Sequence, residues 1–310
     1  MRYRIERSDR AVFTKPVREH HVEVRVAPWD DAGQRLRRLE VSIDGGGTPA
    51  SHRDCFGNQV HRAALLGAHE VLAVQMTAEV ETLLDNPFEL EPVAAAREPD
   101  WIADSLRQAP RLWDFVLHRS VLTPDLASAH IAGESGGGDQ AGDGGDGPVL
   151  PAWRSGVPLL AQVQDAMAWI GRHYSQDDAA QAPAASLDGL FGTGAGSAAD
   201  LAHLLVSIVR GWSMPARFVT GYIDAAYFEP DDDDPDAAAR PQALHCWMEA
   251  LIPGGGWRGF DPVQGLLADA SYIRLAVGRD AGDVTGFRQS FKGDGELESL
   301  TTTVRVERLD

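Results

Sequence analysis

The sequence predicts a two-domain α+β chain. Three observations carry the prediction: a length of 310 residues, strand-type alternation through the first ninety or so, and a helical period that starts near residue 157 and gives way to strands. In the first region apolar residues alternate in HHVEVRV (Val22, Val24, Val26), LEVSI (Leu39, Val41, Ile43) and LAVQMTAEV (Leu72, Val74, Met76, Ala78, Val80). The turn-forming clusters PWDDAG, DGGG and CFGN separate these runs, so residues 1–95 read as a small antiparallel sheet or sandwich with one buried face. Residues 96–150 read as a connector. Trp101, Ile102, Leu106, Leu112, Trp113, Val116 and Leu117 fit short amphipathic helices broken near Pro110. The Gly/Asp-rich stretch at 134–148 has nothing to bury and reads as a disordered insertion.

Residues 151–310 form the second unit. Leu159, Val163, Met167 and Ile170 recur at helical spacing, so the unit begins with a helix. A second helix carries a sharper signature: Ser197 as N-cap, Asp200 three residues on as an aspartate version of the capping box, and the apolar stripe Leu201, Leu204, Leu205, Ile208 and Trp212. Pro215 ends it. Three strands follow, ARFVTGYI, LHCWMEALI and WRGFDP, the last two joined by a tight PGGG turn, and the closing TTTVRVERL alternates once more. Between the first two strands an acidic, proline-bounded loop contains Asp231 to Asp234, a run that reads as a solvated loop tip.

Bulk properties narrow the function. With 46 acidic against 28 basic residues the formal charge is −18, which repels phosphate backbones and anionic headgroups and sets nucleic-acid and membrane-surface partners aside. MRYRIERSDRAVF lacks a signal-type apolar run and no stretch approaches a bilayer span, so the expectation is a cytoplasmic location. Cys55 and Cys246 show neither disulfide nor zinc spacing, His20-His21 reads as a pair of strand residues, and no HExxH or DxDxDG occurs, so neither metal nor cofactor is expected.

One constellation carries chemistry. Residue 198 is the first position of the capped helix, at the positive end of its dipole and among unpaired amides. A cysteine there would have a lowered pKa and a ready oxyanion hole. On LHCWMEALI, alternation places His245, Trp247 and Glu249 on one face and Cys246 and Met248 on the other, which separates Cys246 from the histidine. Asp261, just past the PGGG turn, is close enough in a hairpin to accept from the imidazole and fix its tautomer. A lone strand histidine is ordinarily satisfied by a backbone partner, and an aspartate before Pro262 by its turn. His203 and Asp200 are assigned to helix packing and helix-start electrostatics. Tyr174, after the first helix of the unit, fits a cleft wall or the core equally well.

The order GSAADLAHL, MPARFVTGY, HCWMEALIPGGGWRGFDPVQG and YIRLAVGRDAGDV resembles the bacterial transglutaminase-like superfamily, whose members read G-x-C-x-D-x-A-H-L, P-A-R-x-V-x-G-Y, H-A-W-x-E with G-W-x-x-F-D-P, and often A-V-G-R-D. The resemblance covers residues 157 to 284 and, more loosely, RDCFGNQVH and MRYRIE. It implies a papain-like transglutaminase core, a nucleophile-bearing helix packed on an antiparallel sheet, behind a small β-sandwich-like domain. It also implies His245 as general base and acid, Asp261 as orienting carboxylate and residue 198 as the nucleophile, with Ser197, Tyr174 and Trp247 as candidates for substrate or oxyanion contacts. The chemistry implied is acyl transfer on a peptide amide, with hydrolysis favoured over crosslinking and a peptide or protein as the other party. The oligomeric state stays open.

Against this pattern the chain has Ala198. A methyl group can neither attack a carbonyl nor be deprotonated, so covalent catalysis at this position is blocked, a loss on the order of a million-fold in rate where nucleophile triads have been dissected. A natural non-catalytic homologue and an engineered inactivation both account for the alanine. Ser197 acting in its place is opposed by its capping role.

Overall fold

The computed structural model describes residues 1–126, 148–177, 186–224 and 244–309. All but the last residue of the Gly/Asp-rich stretch, and the whole Asp231 to Asp234 run, lie outside the described residues.

The first domain is organised by one long strand, β1 (Arg2–Val24). Its first half lies between β5 (His69–Thr82) and β14 (Leu297–Arg308), with β2 (Gln34–Ile43) beyond β5. Its second half lies between β4 (Gln59–Leu65) and β13 (Phe287–Lys292), with β3 (Ala50–Arg53) beyond β4. The two halves share one core of Ile5, Phe13, Val22, Val24, Leu72, Val74, Met76 and Val306, so the expected sandwich-like packing is present.

One boundary moves. The sequence places the whole of 151–310 in the second unit, whereas β13 and β14 return to the first domain and flank β1. The physical reason is that β1 has two free edges to cover, and the alternating C-terminal strand supplies the missing partner through the register Ile5 with Val306 to Ala11 with Leu300.

The connector contains α1 (Glu98–Gln108) and the short α2 (Asp114–Leu117), separated at Pro110 as the spacing predicts. The core opens with α3 (Leu159–His173), and the chain then runs through β6 (Ser175–Gln176), α4 (Asp188–Thr193) and β7 (Ala195–Gly196) into α5 (Ala198–Gly211). Helix α5 is apolar nearly all round, and its residues 199–210 are all buried. It packs between α3 and an antiparallel sheet ordered β11-β10-β9-β8-β12. These strands are β8 (Ala216–Ile223), β9 (His245–Ile252), β10 (Gly256–Asp261), β11 (Leu266–Leu267) and β12 (Tyr272–Gly278). Met248, Ala250, Ile252 and Phe260 face the helices, whereas Val219, Trp247 and Tyr272 pack toward Trp29 and Phe56 of the first domain.

A chain of ion pairs, buried at Arg217 and Glu249, reaches from the second domain to the first. Arg274 bridges Asp31 of the first domain and Glu249 of β9, and Arg217 donates to Glu249 at 2.7 Å while lying over the Trp257 ring at 4.1 Å. No helix among the described residues is long and apolar enough to cross a membrane.

Candidate functional site

The site begins with the cap of α5. Ser197 Oγ accepts from the Asp200 amide at 3.2 Å, and the Asp200 carboxylate accepts from the Ser197 amide at 2.9 Å and from its hydroxyl at 2.7 Å. This reciprocal box sets the first helical position at Ala198, where sequence spacing puts it. It also occupies both donors of Ser197, so its hydrogen bonds are those of a cap and leave none for an oxyanion or an attacking hydroxyl. The short parallel pair β6 and β7 leads the chain into this cap.

Helix α5 is pinned from both sides. His203 is fully buried, stacks on Phe218 at 4.4 Å and accepts the Ala281 amide on Nε2 at 3.1 Å. Burial pushes its pKa down to about 4. Arg210, also buried, donates to the carbonyls of Phe115, Ala216 and Arg279, which joins helix, connector and β12 exit. His203 is therefore a packing residue, as the sequence suggests.

His245 is the first residue of β9 and is 15% exposed, while Asp261 ends β10 with no exposed side-chain surface. Pairing Phe260 with Met248 puts Asp261 opposite Trp247 and two residues from His245. The imidazole Nε2 lies 2.7 Å from Asp261 Oδ2. With the carboxylate ionised, Nε2 carries the proton and Nδ1 is left as the basic nitrogen. Asp261 Oδ1 takes the amides of Val263 and Gln264 at 2.9 and 3.2 Å, and Oδ2 also takes the Tyr272 hydroxyl at 2.9 Å. Nothing in the sequence spacing marks Tyr272. It comes to the site because residues 268–271 carry the chain from β11 at one sheet edge to β12 at the other.

Trp247 forms the floor. It stacks beneath His245 with centroids 6.3 Å apart and meets Tyr272 edge-on at 5.3 Å. It is 1% exposed, and its Nε1 has no hydrogen-bond partner among the described residues. Two glycines make room for the indole: a Cβ at Gly221 would come within 2.5 Å of its ring and 2.0 Å of the Ile273 carbonyl, and one at Gly259 within 3.1 Å of Nε1. Trp247 also lines a cavity of about 280 Å³ between the β9–β10 hairpin and residues 31–34.

Cys246 points to the other side. It packs against the cluster of Ala199, Ala202, Phe218, Ala276 and Val284, which brings the start of α5 against the start of β9, residue 198 adjoining Ala199 and His245 adjoining Cys246. Burial, reinforced by the charges of Asp261 and Asp200, pushes its thiol up to about 12, so it is a poor nucleophile. Tyr174 packs with Trp169 and Phe191 at centroid distances of 5.9 and 6.2 Å, a place in the aromatic core. No cluster of three or more metal-ligating side chains occurs among the described residues.

A helix start packed against a His–Asp pair on an antiparallel sheet is the architecture of the Cys/His/Asp acyl-transfer folds. Comparison with known proteins agrees: residues 3–81 match the bacterial transglutaminase-like N-terminal region and residues 154–262 the transglutaminase-like superfamily. By these two regions the chain belongs to the transglutaminase-like superfamily.

An uncharacterized protein of Mycobacterium leprae is 31% identical over 110 residues, covering 36% of this chain and 37% of the relative, so the chain spans little more than a third of that relative's length. Among solved structures, a putative cysteine protease from Cytophaga hutchinsonii shares the fold with a TM-score of 0.60 and 19% identity over 100% of this chain and 91% of its own. The periplasmic domain of TgpA from Pseudomonas aeruginosa overlaps only distantly, with a TM-score of 0.31 and 14% identity over 82% of this chain and 86% of that one.

Proposed function

We propose that this chain binds a peptide or protein segment at the His245 cleft and does not turn it over through a covalent intermediate. The observation that carries the reading is the contrast at one site: His245 and the buried Asp261 are paired at 2.7 Å, while the position at the start of α5 that would hold the nucleophile is Ala198. In the chemistry this architecture serves, a thiolate at residue 198 adds to an amide carbonyl. His245 takes the thiol proton and later delivers one to the leaving amine, and water then cleaves the thioester. Without a sulfur at residue 198 the first bond cannot form. What the site retains is a basic imidazole nitrogen, oriented by Asp261, next to the amides of the first helical turn, a set suited to holding a carbonyl or carboxylate of an extended chain.

The test uses a casein-derived peptide mixture and fluorescence detection of released amines. The chain with Ala198 is expected to release none, Ala198→Cys to release them, and Ala198→Cys combined with His245→Ala to fall silent again. Amine release by the Ala198 chain that persists after His245→Ala would rule out any mechanism through this site. A silent Ala198→Cys variant would remove the acyl-transfer basis of the reading.

A further inference from the structure

Asp261 receives two donors on one oxygen. His245 Nε2 reaches Oδ2 at 2.7 Å and the Tyr272 hydroxyl reaches the same Oδ2 at 2.9 Å, while Oδ1 is taken by the Val263 and Gln264 amides. The carboxylate has no exposed surface, so no water competes for these positions. The backbone amides hold Oδ1, but an amide pair on one oxygen still leaves the carboxylate free to rock about that anchor. Tyr272 closes the other side.

The tyrosine is itself rigidly placed. It begins β12, its amide donates to the Asp269 carbonyl at 3.1 Å, and its ring stands edge-on to Trp247, the indole that also stacks on His245. One aromatic thus supports both donors to Oδ2. Among the described residues, the titratable groups around His245 are Asp261 from β10, Tyr272 from β12 and the neighbouring Cys246, on which Asp200 of α5 also acts.

We propose that Tyr272 is a positioning residue for the His245–Asp261 pair: its hydroxyl locks the Asp261 carboxylate in the orientation that holds the imidazole Nε2–H, and so keeps His245 Nδ1 directed to its task at the cleft. Tyr272 acts through Asp261. The inference rests on the proposed function only in taking His245 as the working base, and its test is read in the ligand-free chain with Ala198 in place, so failure to bind peptide would not affect it.

The test is nitrogen and proton NMR of the His245 ring in Tyr272→Phe, which keeps the aromatic ring against Trp247 and removes only the hydroxyl. The unsubstituted chain is expected to show a protected Nε2 proton. Tyr272→Phe should accelerate its exchange with solvent by about tenfold, the scale of losing one hydrogen bond to a charged group. Tyr222→Phe removes a comparable buried hydroxyl, the one that accepts from Arg7 at the domain interface, and should leave the His245 signal unchanged. An unaltered Nε2 proton in a folded Tyr272→Phe protein would overturn the proposal. Equal acceleration in Tyr222→Phe would overturn it too, because the effect would then be general loosening.

Discussion

His203 offers a quantitative check on how α5 is held. Its Nε2 accepts the Ala281 amide, so a proton placed there would meet an N–H instead of a partner, and its ring is buried against Phe218. Burial lowers its pKa to about 4, against about 6.5 for an unfolded histidine. The unfolded chain therefore takes up the proton first as pH falls. The stabilisation is fully present above pH about 6.5 and is lost progressively as pH drops toward 4, amounting to roughly 3 kcal/mol at 1.36 kcal/mol per pH unit. The assay is urea unfolding at several pH values between 7.5 and 4.5 for the unsubstituted chain and for His203→Gln, whose side-chain oxygen can accept the same amide but does not titrate. Over that interval the unsubstituted chain should lose about 2–3 kcal/mol more than the variant. Parallel curves, or a His203 ring that titrates in the ordinary histidine range, would refute the reasoning.

Four further outcomes follow. Gly221→Ala puts a methyl into the Ile273 carbonyl and the Trp247 ring, and should cost on the order of 3 kcal/mol or more in thermal unfolding while shifting tryptophan fluorescence. Glu249→Gln leaves the buried Arg217 without a charged partner and Arg274 with Asp31 alone, so stability should fall by roughly 3–5 kcal/mol in denaturant titrations. Burial alone would raise the pKa of Asp280, but hydrogen bonds from Ser120, His118 and the Gly282 amide hold it below the usual range. Its contribution is therefore present at neutral pH and lost as pH falls through the carboxylate region, and Asp280→Asn should flatten that part of the stability profile. Of the two cysteines, exposed Cys55 should react promptly with a disulfide reagent at pH 8 and Cys246, part-buried with its thiol pKa raised, much more slowly, as intact mass would show.

Much of the fold is written in short-range signals. The capping box at Ser197 and Asp200 announces α5 to the residue, and the PGGG turn pairs β9 with β10, so the hairpin itself brings His245 and Asp261 together. The first half of β1 is less legible because Arg7 and Asp9 occupy inward positions and interrupt the apolar alternation. In the fold they pair with each other at 2.8 Å, and Arg7 also donates to Tyr222 of the core, a partner more than two hundred residues away. The return of β13 and β14 to that strand is a matter of long-range pairing that local pattern cannot encode. Tyr272 is hidden for the same reason: in sequence it is one strand residue among many, and only the crossover past Trp247 delivers its hydroxyl to Asp261. Ser197 and Tyr174 show the converse. Ser197, a candidate for substrate or oxyanion contact, serves the cap, and Tyr174, which the sequence allows in a cleft wall or the core, takes the place in the aromatic core.

The proposed function places acyl-transfer machinery around a missing nucleophile. The direct measurement is to install it as Ala198→Cys and follow alkylation of that thiol by iodoacetamide against pH, using intact mass, with His245→Ala in the same background as control. The expected result is a thiolate that forms well below the ordinary cysteine pKa of about 8.5 and loses that advantage without His245. A thiol that titrates like a free cysteine and ignores His245 would contradict it.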